Sequence, residues 1–458
     1  MLFNSWLFAL FFIIAFIVFL VLKRTQFWNV WLLAVSFVFY GWWNPLYVPL
    51  IVYTIAVNYI VVFKLEFAEK RKKWLVIAIV NNVLVLGFFK YAEFFTDNIN
   101  VLLHVINSPF IIPAPNFLFP VGLSFFTFIV TGYIIDVYRG TIPAEKNIIR
   151  FATFVSFFPY LLAGPIERAR NILPQLKTAP KFCKEHISEG LSLFVVGMFK
   201  KIALADFLAL YVNKVYSDPS QFSGLTLLLA TYAFAWQIYF DFSGYTDMAR
   251  GCARIMGFKL MMNFNNPYLA TGLGDFWRRW HISLSGWFKD YLYIPLGGNR
   301  HGRFNTYKNM IITMLIAGLW HGAAWNFVIW GAVHALGRSI TRELENTWYY
   351  SERVPKIVKQ LFTFHLVCFG WIFFRAETFG KAATVVKGIF SFSLSDPRIP
   401  LVAVLFCVGI WIYQFIFESR YKKVLELPAV RVGLMLLILF YMVFFGTSGY
   451  EKFIYFQF

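Results

Sequence analysis

His321 is the residue of this chain best placed by type and surroundings to do chemistry. It lies near the middle of an apolar stretch, residues 309–337, that is long enough to cross a bilayer. An ionisable group at that depth is costly and usually lines a working cavity. Imidazole is also the side chain best suited to moving a proton near neutral pH. A span over 309–330 places Ala317, Gly318, Ala324 and Trp325 beside His321 on one helix. Such small residues allow a ligand or another helix to come close. Trp320, Trp325 and Asn326 are candidate substrate contacts around it. The alternative is a structural histidine.

A second cluster occupies residues 274–302, which contain Trp277, Arg278, Arg279, His281, Trp287, Lys289 and Arg300. This segment is too polar to span and too aromatic to float free. Tryptophan and tyrosine mixed with arginine belong at the membrane–water boundary. An interfacial helix followed by a turn at Pro295 and Gly297-Gly298 is expected. Its basic surface suits an anionic, nucleotide-bearing thioester, because arginine binds phosphate bidentately. On composition alone, a positive-inside belt touching anionic lipid head groups is the favoured alternative. His281 is a candidate working residue or a hydrogen-bonded structural one. His334 is expected at the interface.

The third polar intrusion is Asp241-Phe-Ser-Gly-Tyr-Thr-Asp247. Asp241 and Tyr245 are four apart and share a face if the segment is helical. A buried carboxylate must be paired or hydrogen-bonded. Asp241 could orient a histidine, or could simply pack or cap helices.

These groups need a membrane scaffold to hold them. The 458 residues are 59% hydrophobic, 21% aromatic and 14% charged, with a mean hydropathy of +0.62. Soluble domains carry about 45–50% apolar and about 25% charged residues. The chain therefore reads as an all-α, polytopic membrane protein. Candidate spans are 5–22, 27–44, 46–63, 74–90, 119–137, 188–212, 223–240, 309–330, 355–374, 400–417 and 432–449. Residues 150–165 and 241–300 are less regular. The prolines between Ile111 and Pro120 exclude a continuous helix there. One membrane domain is expected, with amino-terminal helices to residue 137, a catalytic core over 138–340 and carboxyl-terminal helices over 341–458.

The net charge of +19 would suggest nucleic-acid binding in a soluble protein. Here the lysines and arginines lie mostly in short segments between apolar runs, which fits the positive-inside rule instead. Lys23-Arg24 follows the first run and no basic region precedes it, so a retained first helix with its amino end outside is expected. Phe453 to Phe458 then fall outside as well. From Lys308 at the inner edge, His321 is thirteen residues in, roughly 20 Å at ~1.5 Å per residue and past the midplane. Cys183, Cys252, Cys368 and Cys407 form no CxxC pair and no zinc-spaced cluster, so no metal is expected.

An ordered set of motifs runs nearly end to end. It comprises Phe88-Phe-Lys-Tyr91, Pro120 to Phe128, Tyr133 to Gly140, Phe158-Pro159 with Ala163-Gly-Pro165, and Asp241 to Tyr245. It continues with Phe276 to Ser283, Tyr293 to Asn299, Leu319-Trp-His-Gly322 and Phe373 to Ala376. By these the chain resembles the membrane-bound O-acyltransferase superfamily, and within it the bacterial polysaccharide O-acetyltransferase branch. The resemblance implies that His321 is the family's catalytic histidine and His281 its second histidine. It implies a ring of about eleven spans, with interfacial or re-entrant helices, around a central tunnel. It further implies no bound cofactor, acetyl-CoA as donor, a polysaccharide acceptor and a serine hydrolase-like partner outside the inner membrane. The D-alanyl branch instead takes its acyl group from a carrier protein. A lipid acyltransferase and a non-catalytic transporter remain the rival readings, the latter because histidines lining a cavity also suit proton-coupled transport.

Overall fold

An apolar run in hydrocarbon must satisfy its backbone within itself, and the α-helix does so. A computed structural model describes residues 1–445 except 68, 116–118, 163, 395–398 and 420; every regular element in it is helical. The expectations for Ala163 and for Phe453 to Phe458 lie outside the described residues. Among the described residues, four helices are long and apolar enough to cross a membrane: Pro45–Glu66, Arg71–Val105, Gly224–Ile255 and Lys356–Arg375. Five shorter apolar helices accompany them: Trp6–Leu22, Trp28–Gly41, Leu123–Tyr138, Cys407–Phe417 and Val432–Phe444. The chain is a multi-pass membrane protein.

The chain divides into two units. The first holds Met1–Leu191 and Ala249–Met261. In it Ser5 caps the Trp6–Leu22 helix by accepting from the Phe8 amide. Asn58 and Asn82 exchange amide hydrogen bonds of 3.0 Å, and Asn82 also donates to Thr131 at 3.2 Å. Three helices are thereby joined by polar groups buried where water cannot compete. Glu167, Asn171 and Gln175 recur every fourth residue along the Ala169–Gln175 helix and its lead-in. They bind the backbone of residues 259–261: Glu167 accepts from the Met261 amide, Asn171 donates to the Lys259 carbonyl, and Gln175 pairs with both backbone groups of Lys259.

The second unit holds Ser192–Met248 and Met262–Phe458. Its principal pair is the Gly302–His321 helix followed by the Trp325–Glu345 helix. A Cβ at Gly318 would lie 2.2 Å from the Phe327 carbonyl oxygen, and one at Gly331 would lie 2.4 Å from that of Met314. Glycine at both crossings lets the two backbones approach in antiparallel register.

This hairpin corrects the expected single span over 309–330. The first helix ends at His321, and Gly322 and Ala324 are extended. A Cβ at Gly322 would fall 2.0 Å from the Phe327 ring, so only glycine closes this turn. Ala324 and Trp325 are therefore not helical neighbours of His321. The imidazole stands at a helix end rather than in mid-helix. In contrast, the expected 223–240 span continues to Ile255. Asp241 and Tyr245 do share a buried helical face.

Candidate active site

His321 is 4% exposed. Its ring lies edge-on to Trp320 and Trp330, each at 5.0 Å between centroids, and to Phe374 at 5.3 Å. Three aromatic walls from three helices thus hold one imidazole. Such walls exclude water and favour a proton transfer whose partners are both held in place.

His281 lies between two short helices, Leu273–Arg279 and Ile282–Phe288. Its backbone is left-handed, with φ of 42°. A non-glycine residue rarely adopts that conformation, and it tends to mark functional or tightly constrained positions. The side chain is fully buried against Phe242 at 4.6 Å and Trp320 at 6.2 Å. Trp320 therefore touches both candidate histidines. Nδ1 of His281 lies 3.1 Å from Oδ1 of Asn263, which also accepts from the amide and hydroxyl of Ser283. An oxygen receiving those two donors must accept from the imidazole as well, so Nδ1 carries the proton and Nε2 the lone pair. Burial pushes the imidazole down to about 3, which keeps it neutral at physiological pH.

The other candidates are distributed unequally. Trp277 contacts Trp330 and His334. Trp287 packs on Phe288 and Tyr291 within its own helix and the turn after it. Arg278 is exposed and lies 3.5 Å from Asp275. Arg279 is committed to two carboxylates, Asp275 at 3.1 Å and Glu418 at 2.6 Å. Asn326 is buried and donates to the Ala376 carbonyl at 2.7 Å, a tie between helices. Trp325 is 60% exposed.

One arrangement had no counterpart among the expectations from sequence, and a second concerns His334, which was expected at the interface. Lys201 sits in a π-helical turn, Lys200–Ala205, and reaches Asp206 and Asp241, each at 2.8 Å. The same turn directs Lys200 to Asp247 at 2.7 Å. Asp241 is thus an ion-pair partner of lysine. The signal was present, since Lys200-Lys201 and Asp206 interrupt an apolar run. A π-helical turn changes which residues share a face, however, and frequently marks functional sites. The second arrangement is His334, which is 1% exposed and packed among aromatic rings.

Comparison with known proteins identifies the family. Residues 141–376, which contain both candidate histidines, match the membrane-bound O-acyltransferase family. The chain is 41% identical over 413 residues to a probable alginate O-acetylase of Azotobacter vinelandii, covering 86% of this chain and 80% of that one. It is 37% identical over 397 residues to a peptidoglycan O-acetyltransferase of Helicobacter pylori, covering 80% and 74%. A teichoic acid D-alanyltransferase of Bacillus subtilis is 30% identical over 288 residues, covering 58% of this chain and 71% of that one. The chain belongs to the membrane-bound O-acyltransferase family and is an O-acyltransferase.

Proposed function

We propose that this enzyme moves an acetyl group from cytosolic acetyl-CoA across the inner membrane for O-acetylation of an extracytoplasmic polysaccharide, alginate-like or peptidoglycan. The observation that carries this reading is His321, a buried imidazole walled by aromatic rings in a chain similar to O-acetylases of both polymers. All 458 residues act as one membrane domain, with about eleven spans ringing a central tunnel and the amino end outside. The donor docks on the basic segment that carries Trp277, Arg278, Arg279 and Trp287, where exposed Arg278 meets phosphate. No bound cofactor takes part.

His321 acts as general base. It takes the proton of an incoming hydroxyl, whose oxygen attacks the thioester carbonyl. The oxygen–carbon bond forms, the carbon–sulfur bond breaks, and the thiolate leaves with the proton. Alternatively, His321 attacks the thioester itself, releases the thiol and passes the acetyl group on. Asp241 and Tyr245 hold the polar interior, with Asp241 fixed by Lys201. Trp320, Trp325 and Asn326 shape the surroundings of His321. The final transfer to the polymer falls to a serine hydrolase-like partner outside.

Purified protein in nanodiscs, given radiolabelled acetyl-CoA with and without that partner, tests the reading. Release of free CoA by wild type and not by His321→Ala supports it. Passage of intact donor or sugar across the membrane with no thioester consumed overturns it in favour of a transporter. Label recovered in lipid alone points to a lipid acyltransferase.

A further inference from the structure

His334 is buried and its ring packs against those of Phe276, Trp277, Trp330 and Trp371, with centroids between 4.7 and 6.3 Å. Neither of its ring nitrogens has a hydrogen-bond partner among the described residues, and the same holds for Nε1 of Trp277, Trp330 and Trp371. Trp330 and Trp371 are as deeply buried as His334. Buried polar atoms are nearly always satisfied, and a cluster of unsatisfied ones asks what meets them. Gly370 lets its helix pack closely on this ring, since a Cβ there would lie 2.9 Å from Nε2 of His334.

Position and chemistry narrow the answer. Gly318 opposes Phe327 and Met314 opposes Gly331, so the same antiparallel register sets His334 level with Ile311. That level lies between His321 and the amino-terminal end of its helix, which carries Arg303 and Lys308. Trp330 touches both His321 and His334, while Trp277 belongs to the basic segment. Three indoles offer only donors, and a neutral imidazole offers one donor and one acceptor. The cluster therefore suits an uncharged, acceptor-rich group.

We propose that His334, with Trp277, Trp330 and Trp371, binds the carbonyl of the donor thioester and holds it on its way from the basic segment to His321. This rests on the acyl-thioester reading above. It makes His334 a donor-binding residue distinct from the base.

The test uses two non-transferable probes on full-length protein in nanodiscs. One is a CoA ketone analogue that keeps the acyl carbonyl, and the other is S-ethyl-CoA, which lacks it. Wild type is expected to bind the ketone about tenfold more tightly, the worth of one or two neutral hydrogen bonds. His334→Leu should erase that ratio while leaving S-ethyl-CoA affinity unchanged, and His334→Gln should restore part of it. A folded His334→Leu protein with the wild-type ratio overturns the proposal. If that variant does not fold, Trp371→Phe, which removes one donor, must lower the ratio, and an unchanged ratio there overturns it equally. Wild type that binds neither probe overturns the donor reading itself. Wild type that binds both alike overturns only the role of His334.

Discussion

Nζ of Lys201 lies 2.8 Å from Oδ1 of Asp241 inside the second unit, with both side chains almost wholly buried. The same ammonium meets Asp206 at 2.8 Å. Two carboxylates gathered on one cation can stay charged in an apolar surrounding only while that cation is present. Lys201→Met is therefore expected to destabilise the protein by about 3–5 kcal/mol. Asp241→Asn, which leaves Asp206 on the ammonium, should cost less. Thermal melting in detergent compares the two, and equal losses would show that the lysine is not the hub.

His321→Ala should lower acyl transfer by at least ~100-fold, the low end of what a positioned general base contributes. Its melting temperature should stay near that of wild type, because the turn at Gly322 and the surrounding rings remain. CoA release, measured beside a melting curve, separates lost chemistry from lost fold.

The pH dependence of stability should carry a mark of His281. Its folded imidazole is held down to about 3 by burial, against 6.5 when exposed. Between those values the unfolded chain binds a proton that the folded chain refuses. The contribution is thus fully present above pH 6.5 and is lost as pH falls toward 3. Wild type should melt progressively lower from pH 7 to pH 5, and His281→Gln should show a shallower slope. Parallel slopes would assign the acid sensitivity elsewhere.

Glu167 should act in the opposite direction. Burial raises its carboxyl to about 7, opposed by hydrogen bonds from Asn171 and the Met261 amide. A raised folded value gives stability that is present below 4.5 and is lost as pH rises through 7. The melting temperature of wild type should drop between pH 5 and pH 8 by a component that Glu167→Gln lacks. An identical drop in both proteins would refute the assignment.

Gly322→Ala is expected to disturb the turn after His321, because the new methyl group would meet the Phe327 ring. Loss of transfer larger than loss of stability should follow, since the imidazole moves with the turn. Phe327→Leu in the same chain should recover part of the activity by clearing that space. No recovery would place the damage in the backbone rather than in the contact.

Much of this was legible in residue order alone. Apolar runs demand helices in a bilayer whatever their neighbours, so the all-helical class and most apolar segments follow from composition and spacing. The shared face of Asp241 and Tyr245 follows from helical period, and the catalytic candidates His321 and His281 follow from their motifs. Tertiary structure decided what period cannot express. The 309–330 run breaks at Gly322 because a ring from Phe327 occupies the space a Cβ would take. Asp241 meets Lys201, forty residues earlier, because a π-helical turn aims that lysine inward. Asn263 fixes the proton of His281 across a chain reversal. His334 is buried among rings from three helices, a placement set by packing between elements rather than by any pattern within one.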